Sequence, residues 1–209
     1  MDVRQSRDRT MVVRDRVGQL CLVAGFLLFA HAQWIQFQAT GRVTGLSYVL
    51  LMLLVATMAI IRRPAKAVAV SWPSRAAATV GTYGSLLLRP GGVALAPDWL
   101  TAALTGVGIT IVTLGLISLR RSFGVVAADR GVVQGGMYQV VRHPLYAGYL
   151  LSHLGFVLAS PTGWNLAIWL LTDGAQILRI HYEEELLSRD PQYVRYQSHV
   201  RWRLLPGVY

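Results

Sequence analysis

Long apolar blocks, separated by short polar segments, dominate the pattern along the chain. A transmembrane helix needs about 20 consecutive apolar residues, with a range of about 17–25. Blocks 17–37 and 99–119 reach that length, whereas block 76–97 is interrupted at residues 89–92. The pattern predicts an all-α, polytopic integral membrane protein with about five to six membrane segments. The blocks lie approximately at 17–37, 46–61, 76–97, 99–119, 145–160 and 164–178.

The last two blocks flank the sequence Ser160-Pro161-Thr162-Gly163, which is typical of a tight turn. They therefore predict a C-terminal helical hairpin, although both are short for a full span and a partly re-entrant hairpin is the alternative. The first block contains an A-x-A sequence at residues 30–32, as a cleaved signal peptide would. Because the apolar residues continue to Phe37, we favour a retained helix.

Composition supports the membrane assignment. Apolar residues make up 54% of the chain and charged residues 14%, against about a quarter charged in ordinary globular proteins. This composition excludes a disordered chain and most soluble enzymes. The single cysteine, Cys21, excludes an internal disulfide.

The net charge is +10, and the basic residues lie between the apolar blocks. If every block crosses the membrane, all Arg and Lys residues except Arg42 and Arg89 fall on one side, as the positive-inside rule requires. This predicts a multi-pass protein of the cell (plasma) membrane, in contact with membrane lipids, with both termini cytoplasmic. The charge pattern does not favour nucleic-acid binding. We divide the chain into a basic arm (1–16), N-terminal transmembrane helices (17–119) and a C-terminal core (120–209).

The polar residues with candidate chemistry lie in the C-terminal core. Arg142-His143-Pro144 precedes the fifth block, and proline is favoured in the first turn of a helix. His143 is therefore predicted to lie at a helix start, beside backbone N–H groups that lack helical partners. A basic loop before a helix would give the same sequence.

A second cluster follows the last block. Arg179 and Glu183 are four residues apart and are predicted to share one helix face. Glu184 and Glu185 extend the acidic run, which is also compatible with a solvated helix end. Asp173 lies within or near the bilayer, where an acidic side chain suggests function.

Other polar residues carry less information. His31, Gln33 and His153 are compatible with a pocket or with ordinary helix packing. Tyr193, Tyr196 and Val200 form one stripe of a predicted interfacial helix that ends at Pro206-Gly207. The histidines and the cysteine show no metal-ligand spacing, so no metal site is predicted.

The ordered set of fragments resembles the isoprenylcysteine carboxyl methyltransferase family, which is related to the membrane phospholipid methyltransferases. It runs Gly136-x-Tyr138-x-x-x-Arg142-His143-Pro144-x-Tyr146-x-Gly148, the hairpin, Arg179-x-x-x-Glu183-Glu184, Tyr193-x-x-Tyr196 and Leu205-Pro206. The resemblance covers about residues 119–207. Met137 stands where bacterial relatives often have proline, and the linker at 123–130 lacks an obvious counterpart of a cofactor-binding glutamine in eukaryotic members.

The resemblance implies an enzyme that holds S-adenosylmethionine at the cytoplasmic membrane face, in a pocket closed by the C-terminal segment. The same resemblance assigns Arg179 to the substrate, and Arg179 and Glu183 together to catalysis. The residues that it assigns to the cofactor are Arg130, Gly131, Val132, Val133, Tyr138, His143, Pro144, Leu145, Tyr146 and Glu183.

The chemistry of these side chains agrees with that assignment. Glu183 suits the ammonium group of the cofactor, and His143 with nearby N–H groups suits its carboxylate. The permanently charged, planar guanidinium of Arg179 suits a carboxylate acceptor, which needs no general base.

The predicted function is therefore methylation of a lipophilic or lipid-linked acceptor, with O-methylation of an isoprenylcysteine-like carboxylate as the favoured reaction. N-methylation of a phospholipid headgroup and S-methylation of a small thiol are alternatives, for which Glu183, Glu184 or His181 would take up the proton. A non-enzymatic membrane scaffold or transport subunit is an alternative of another class. A nicotinamide-dependent reductase is disfavoured because no phosphate-binding glycine motif stands out. The acceptor itself and the oligomeric state do not follow from the sequence.

Overall fold

A computed structural model describes residues 3–40, 43–63, 67–68, 71–124 and 128–209. The fold is predominantly helical, and the chain divides into two compact units, residues 1–61 and 62–209. The second unit therefore includes the region from 62 to 119, which the sequence analysis groups with the N-terminal helices.

The first unit consists of helices α1 (Val3–Thr40) and α2 (Val43–Ile61). The side-chain amide of Gln19 donates hydrogen bonds to the carbonyl oxygens of Ala59 and Ile60, at 2.7 and 2.9 Å. These bonds tie the end of α2 to α1. Because α1 begins at Val3, the predicted basic arm (1–16) continues directly into the first apolar block as one helix.

The second unit contains five helices and one pair of two-residue strands among its described residues. The strands are antiparallel, with Ala67 opposite Asp129. Short 3-10 turns lie at Gly84–Leu87, Arg120–Ser122 and Gly136–Gln139. In chain order the elements are β1 (Ala67–Val68), α3 (Trp72–Tyr83), α4 (Asp98–Leu119), β2 (Ala128–Asp129), α5 (Pro144–Ala159), α6 (Gly163–Leu187) and α7 (Pro191–His199).

Helices α4 and α5 approach each other closely through small residues. A Cβ atom added at Gly108 would lie 2.6 Å from the backbone nitrogen of Ser152 and 2.7 Å from the carbonyl oxygen of Gly148. A Cβ atom added at Gly148 would lie 2.6 Å from a methyl group of Val112. Glycine at both positions lets the two backbones meet, which is how apolar helices gain packing contacts in a membrane.

Helices α5 and α6 form the hairpin that the Pro-Gly turn predicts. The Thr162 hydroxyl caps α6 by accepting a hydrogen bond from the backbone N–H of Asn165, at 3.1 Å. The fully buried Asn165 amide then donates to the carbonyl oxygens of Arg89 and Ser160, at 2.7 Å each. This end of the hairpin is therefore joined to the chain that precedes α4.

The third apolar block (76–97) is not one continuous helix, unlike the others. Helix α3 ends at Tyr83, the 3-10 turn ends at Leu87, and residues 88–97 are not helical. Pro90, Gly91 and Gly92 lie in this non-helical stretch, where a proline disfavours continuation of a helix, and Gly92 has a positive φ of 80°.

By length and hydropathy, two described segments are long and apolar enough to span a membrane, Arg16–Ile35 and Asp98–Ser122. Two shorter apolar helices, Tyr48–Ile61 and Pro144–Ala159, accompany them. These apolar helices indicate a membrane protein, while the number of crossings and the orientation of the termini stay predictions.

Candidate active site

A cavity in the second unit lies between the start of α5, the end of α6 and α7. The chain on either side of β2 and the 3-10 turn around Tyr138 complete its wall. All residues predicted for cofactor and substrate line it except Pro144, which is fully buried in the first turn of α5. Those that line it are Arg130, Gly131, Val132, Val133, Tyr138, His143, Leu145, Tyr146, Arg179 and Glu183.

The backbone before α5 is held by the C-terminal segment. The N–H groups of Arg142 and His143 donate to the carbonyl oxygens of Trp202 and Arg203, at 2.9 Å each. His143 is the N-cap residue of α5 and is 5% exposed. Its Nε2 lies 3.1 Å from an Oε1 atom of Glu184. The imidazole is thus fixed at the helix start, as predicted, with one nitrogen occupied by a protein carboxylate.

Glu184 is the centre of a buried ionic cluster. Its Oε1 accepts a hydrogen bond from Nε of Arg142 at 2.7 Å, and its Oε2 accepts one from Nε of Arg203 at 2.8 Å. Burial alone would raise the pKa of Glu184, but the hydrogen bonds and charges of His143 and Arg142 outweigh it and lower the pKa to about 2. A carboxylate held this way is a poor proton acceptor. Glu184 and the exposed His181 are also outside the cavity lining.

Glu183 faces the cavity instead, beside Tyr146 and Arg179. The Tyr146 hydroxyl donates a hydrogen bond to Oε1 of Glu183. The guanidinium carbon of Arg179 lies 5.1 Å from the centre of the Tyr146 ring, a cation–π distance. One tyrosine therefore contacts both the acidic and the basic residue that the sequence singles out, the first through its hydroxyl and the second through its ring.

Arg179 is held by helix α3 as well as by its own helix. Its Nη1 donates to the hydroxyl of Thr82 at 3.2 Å and to the side-chain oxygen of Gln176 at 2.9 Å. No pattern in the sequence predicts the contacts of Gln176 and Thr82 with Arg179. Only the proximity of α3 and α6 in the fold brings these residues together.

The segment 130–133 forms the opposite wall. Arg130 is 6% exposed, and its Nε donates to the carbonyl oxygen of Arg63 at 3.0 Å. Gly131 has a positive φ of 96°, a conformation that glycine adopts readily. Arg130 therefore anchors this wall to the chain before β1, and the turn at Gly131 places Val132 and Val133 against the cavity.

Three tyrosines form an aromatic wall of the cavity. Tyr138, Tyr193 and Tyr196 are buried together with Val200, so the predicted stripe does pack inward. The helix that carries it, α7, ends at His199, earlier than the predicted Pro206-Gly207. The Tyr196 hydroxyl donates to the carbonyl oxygen of Tyr138 at 2.6 Å.

The Tyr193 hydroxyl differs from that of Tyr196. It is buried and has no hydrogen-bond partner among the described residues, although Tyr193 lines the cavity. Burial, and then the charge of Glu184, raises the pKa of Tyr193, so this hydroxyl stays protonated at neutral pH. It is available to a polar ligand.

His153 and Asp173 form a buried pair deeper in the hairpin. Nδ1 of His153 lies 2.6 Å from Oδ1 of Asp173, and both residues are 8% exposed. The His153 ring stacks at 14° on that of Tyr149, which lines the cavity. This pairing is not predictable from the sequence, because the two residues are twenty positions apart and lie on different helices of the hairpin. His31, in contrast, is exposed on α1.

Other lining residues carry little sequence signal. Leu119, Phe123 and Leu187 supply apolar surface that any membrane helix end would offer. Arg142, which also lines the cavity, belongs to the Arg-His-Pro sequence but was assigned no role. Among the described residues, no three of His, Cys, Asp and Glu are grouped as metal ligands would be.

The family comparison matches this part of the chain. A family model described as phospholipid methyltransferase matches residues 98–193. The match runs from the start of α4 into α7 and includes every cavity residue named above except Tyr196. No curated protein is significantly similar in sequence. The matched region, which makes up slightly less than half of the chain, is similar to that family, and the match leaves the type of acceptor open.

Proposed function

We propose that this protein is a membrane methyltransferase that uses S-adenosylmethionine and O-methylates a lipophilic, isoprenylcysteine-like carboxylate. One observation carries the proposal: Glu183 and Arg179 line the same cavity and contact the same tyrosine, Glu183 at the Tyr146 hydroxyl and Arg179 over its ring. An anion suited to the cofactor's ammonium group and a cation suited to the acceptor's carboxylate are therefore side by side.

The residues around the cavity fit S-adenosylmethionine. Glu183 offers a carboxylate, and the rings of Tyr138 and Tyr196 offer an apolar surface for a flat base. The buried Tyr193 hydroxyl lacks a partner within the described part of the chain. When bound, the cofactor supplies a methyl group on a sulfonium sulfur. The predicted contacts by Arg130, Gly131, Val133, His143, Pro144 and Leu145 are part of this proposal.

The protein's contribution to methyl transfer is alignment and exclusion of water. Transfer to a carboxylate breaks one S–CH3 bond and forms one O–CH3 bond, leaving S-adenosylhomocysteine and a methyl ester, without release of a proton. Arg179 would hold the acceptor carboxylate, and Tyr146 and Glu183 would hold the ammonium end of the methyl donor. Such positioning accounts for a large part of the rate in displacement reactions.

A second candidate is N-methylation of a phospholipid headgroup, which the description of the matching family favours. That reaction releases a proton and needs an acceptor for it. Glu183 is the carboxylate that lines the cavity, but it already accepts a hydrogen bond from Tyr146. S-methylation of a thiol has the same requirement. Methylation of a carboxylate needs no proton acceptor, so the cavity residues suffice for it without a further base.

We also propose the multi-pass orientation in the cell membrane with both termini cytoplasmic, which puts the cavity at the cytoplasmic face. Reporter fusions at the two termini test it, because a reporter that works only in the cytoplasm must be active at both ends. Activity at one end alone would contradict the orientation.

The deciding experiment is calorimetric binding of S-adenosylmethionine to the detergent-purified protein. We expect a micromolar dissociation constant, or about −8 kcal/mol. Glu183→Gln should weaken it at least about tenfold, because one charge-assisted contact contributes roughly 1.5–3 kcal/mol. Glu185→Gln is the matched control, since the neighbouring Glu185 side chain is 61% exposed and outside the cavity.

His143→Ala should likewise weaken binding. Absence of binding by the folded wild type, with lipid present, would refute the methyltransferase proposal and favour a membrane scaffold. Equal binding by wild type and the Glu183 variant would show that the cofactor is held elsewhere.

A further inference from the structure

Gln176 is a buried amide that joins two helices at the edge of the cavity. It is 2% exposed, and its Nε2 donates to the carbonyl oxygen of Gly81 in α3 at 2.7 Å. Its Oε1 accepts from Nη1 of Arg179 at 2.9 Å. Both ends of the amide are therefore engaged.

These two bonds fix which way the amide faces. A flipped amide would turn an NH2 group toward the Arg179 cation and an oxygen toward the Gly81 carbonyl, and both contacts would be repulsive. The glycine matters here, because a Cβ atom at position 81 would lie 2.9 Å from the Gln176 oxygen and 3.1 Å from the Arg179 side chain. Helix α3 thus comes close enough to set the position of Arg179.

The groups that hold Arg179 are uncharged, and this matters as much as their geometry. The Gln176 amide and the Thr82 hydroxyl are neutral acceptors, and the Tyr146 ring is neutral as well. These three contacts orient the guanidinium and add no negative charge to it, whereas the neighbouring carboxylate of Glu183 is bonded to the Tyr146 hydroxyl. Glutamate at position 176 would make the same hydrogen bond but would neutralise the cation that faces the cavity.

We propose that Gln176 is a positioning residue that sets acceptor specificity: it holds Arg179 against the Tyr146 ring as a charged group, so that the site selects an acceptor whose reacting group is anionic. The inference rests on the proposed methyltransferase function and extends it, since it assigns helix α3, which precedes the region matched by the family model, to the acceptor site.

The test compares two probes with matched tails, N-acetyl-S-farnesyl-L-cysteine, which has a carboxylate, and S-farnesylcysteamine, which has an amine. Methylation from S-adenosylmethionine is measured in detergent for wild type, Gln176→Leu, Gln176→Glu and the control Gln192→Leu on the exposed side of α7. Cofactor affinity and thermal unfolding are measured on the same preparations.

We expect Gln176→Leu to raise the KM for the carboxylate probe about tenfold or more, as loss of a charge-assisted hydrogen bond implies. The cofactor affinity of Gln176→Leu should change less than about twofold, which is the size of difference expected between sites that do not interact. Gln176→Glu should raise the carboxylate KM further while not impairing methylation of the amine probe. A loss with the carboxylate probe but not with the amine probe distinguishes positioning of a charge from a general packing defect.

Contradicting results would distinguish a failure of the role of Gln176 from a failure of the proposed function. Unchanged carboxylate KM in both variants would overturn the role of Gln176, and so would loss of cofactor affinity and thermal stability in step with activity. Preference of the wild type for the amine probe would overturn anion selection while leaving a methyltransferase. Failure of the wild type to bind cofactor would overturn the proposed function itself, before the variants are compared.

Discussion

Arg142 and Glu184 connect the chain before α5 with the end of α6 through a 2.7 Å ion pair that is almost inaccessible to solvent. The same guanidinium donates to the carbonyl oxygens of Val200 and Arg201, at 2.9 and 2.8 Å. The pair therefore also anchors the C-terminal segment. Removing one partner of a buried pair typically costs about 3–5 kcal/mol, because it leaves the other charge buried alone.

Glu184→Gln should lower stability in a pH-dependent way. The folded-state pKa of Glu184, about 2, lies below its ordinary value of 4.5. Its ionised form therefore stabilises the fold above about pH 4.5, and this contribution, on the order of 3 kcal/mol, is lost as the pH falls toward 2. Thermal unfolding of wild type and Glu184→Gln should differ clearly at pH 7, and the difference should shrink between pH 5 and pH 2.

Glu185→Gln serves as the control, since Glu185 is exposed and lies 3.9 Å from Arg189, its ion-pair partner one helical turn away. The Glu185→Gln variant should have the same unfolding temperature as wild type at pH 7. A wild-type advantage over Glu184→Gln that stayed constant with pH would contradict the assignment of the stabilisation to the ionised carboxylate.

The two buried tyrosines of α7 should separate stability from ligand binding. Tyr196→Phe removes the hydrogen bond to the Tyr138 carbonyl and should cost about 1 kcal/mol, with little change in cofactor affinity. Tyr193→Phe removes a hydroxyl that no described residue contacts by a hydrogen bond, so it should leave stability unchanged or raise it. It should weaken S-adenosylmethionine binding several-fold in calorimetry, because a hydrogen bond contributes about 1 kcal/mol. Equal affinities of the two variants would show that the Tyr193 hydroxyl is not a ligand contact.

Much of the site could be predicted because its residues lie on regular elements close to recognisable sequences. Pro144 places His143 at a helix start, and the four-residue spacing puts Arg179 and Glu183 on one face of α6. The positions of these groups follow from helix geometry alone.

The remaining contacts depend on tertiary structure. Gln176 meets Gly81, and Arg142 meets Glu184, only because α6 packs against α3 and against the chain before α5. Nothing in the local sequence specifies either pairing. The break in block 76–97 was visible at Pro90, but a count of apolar residues does not distinguish a short helix followed by irregular chain from a complete span.

The His153–Asp173 pair gives a test of whether a buried polar contact is structural. Asp173→Leu or His153→Leu alone should destabilise the protein by about 1–3 kcal/mol, because each leaves a buried polar partner unsatisfied. The double leucine variant should regain most of that stability, since it replaces both polar groups with apolar ones. Thermal unfolding of the four proteins forms a double-mutant cycle. A double variant no more stable than the single ones would contradict a direct pairwise interaction.

Close packing of α4 on α5 predicts opposite effects for two glycines one half-turn apart on α4. Gly108→Ala should destabilise the protein by about 1–3 kcal/mol, because the new methyl group would meet backbone atoms of α5 at 2.6 and 2.7 Å. Gly106→Ala is the matched control: a Cβ atom there meets no described residue within 4 Å, and alanine favours a helix by up to about 1 kcal/mol. Thermal unfolding in detergent should therefore place Gly106→Ala at or above wild type and Gly108→Ala below it. If both alanine variants were as stable as wild type, the two helices would not be in backbone contact at Gly108.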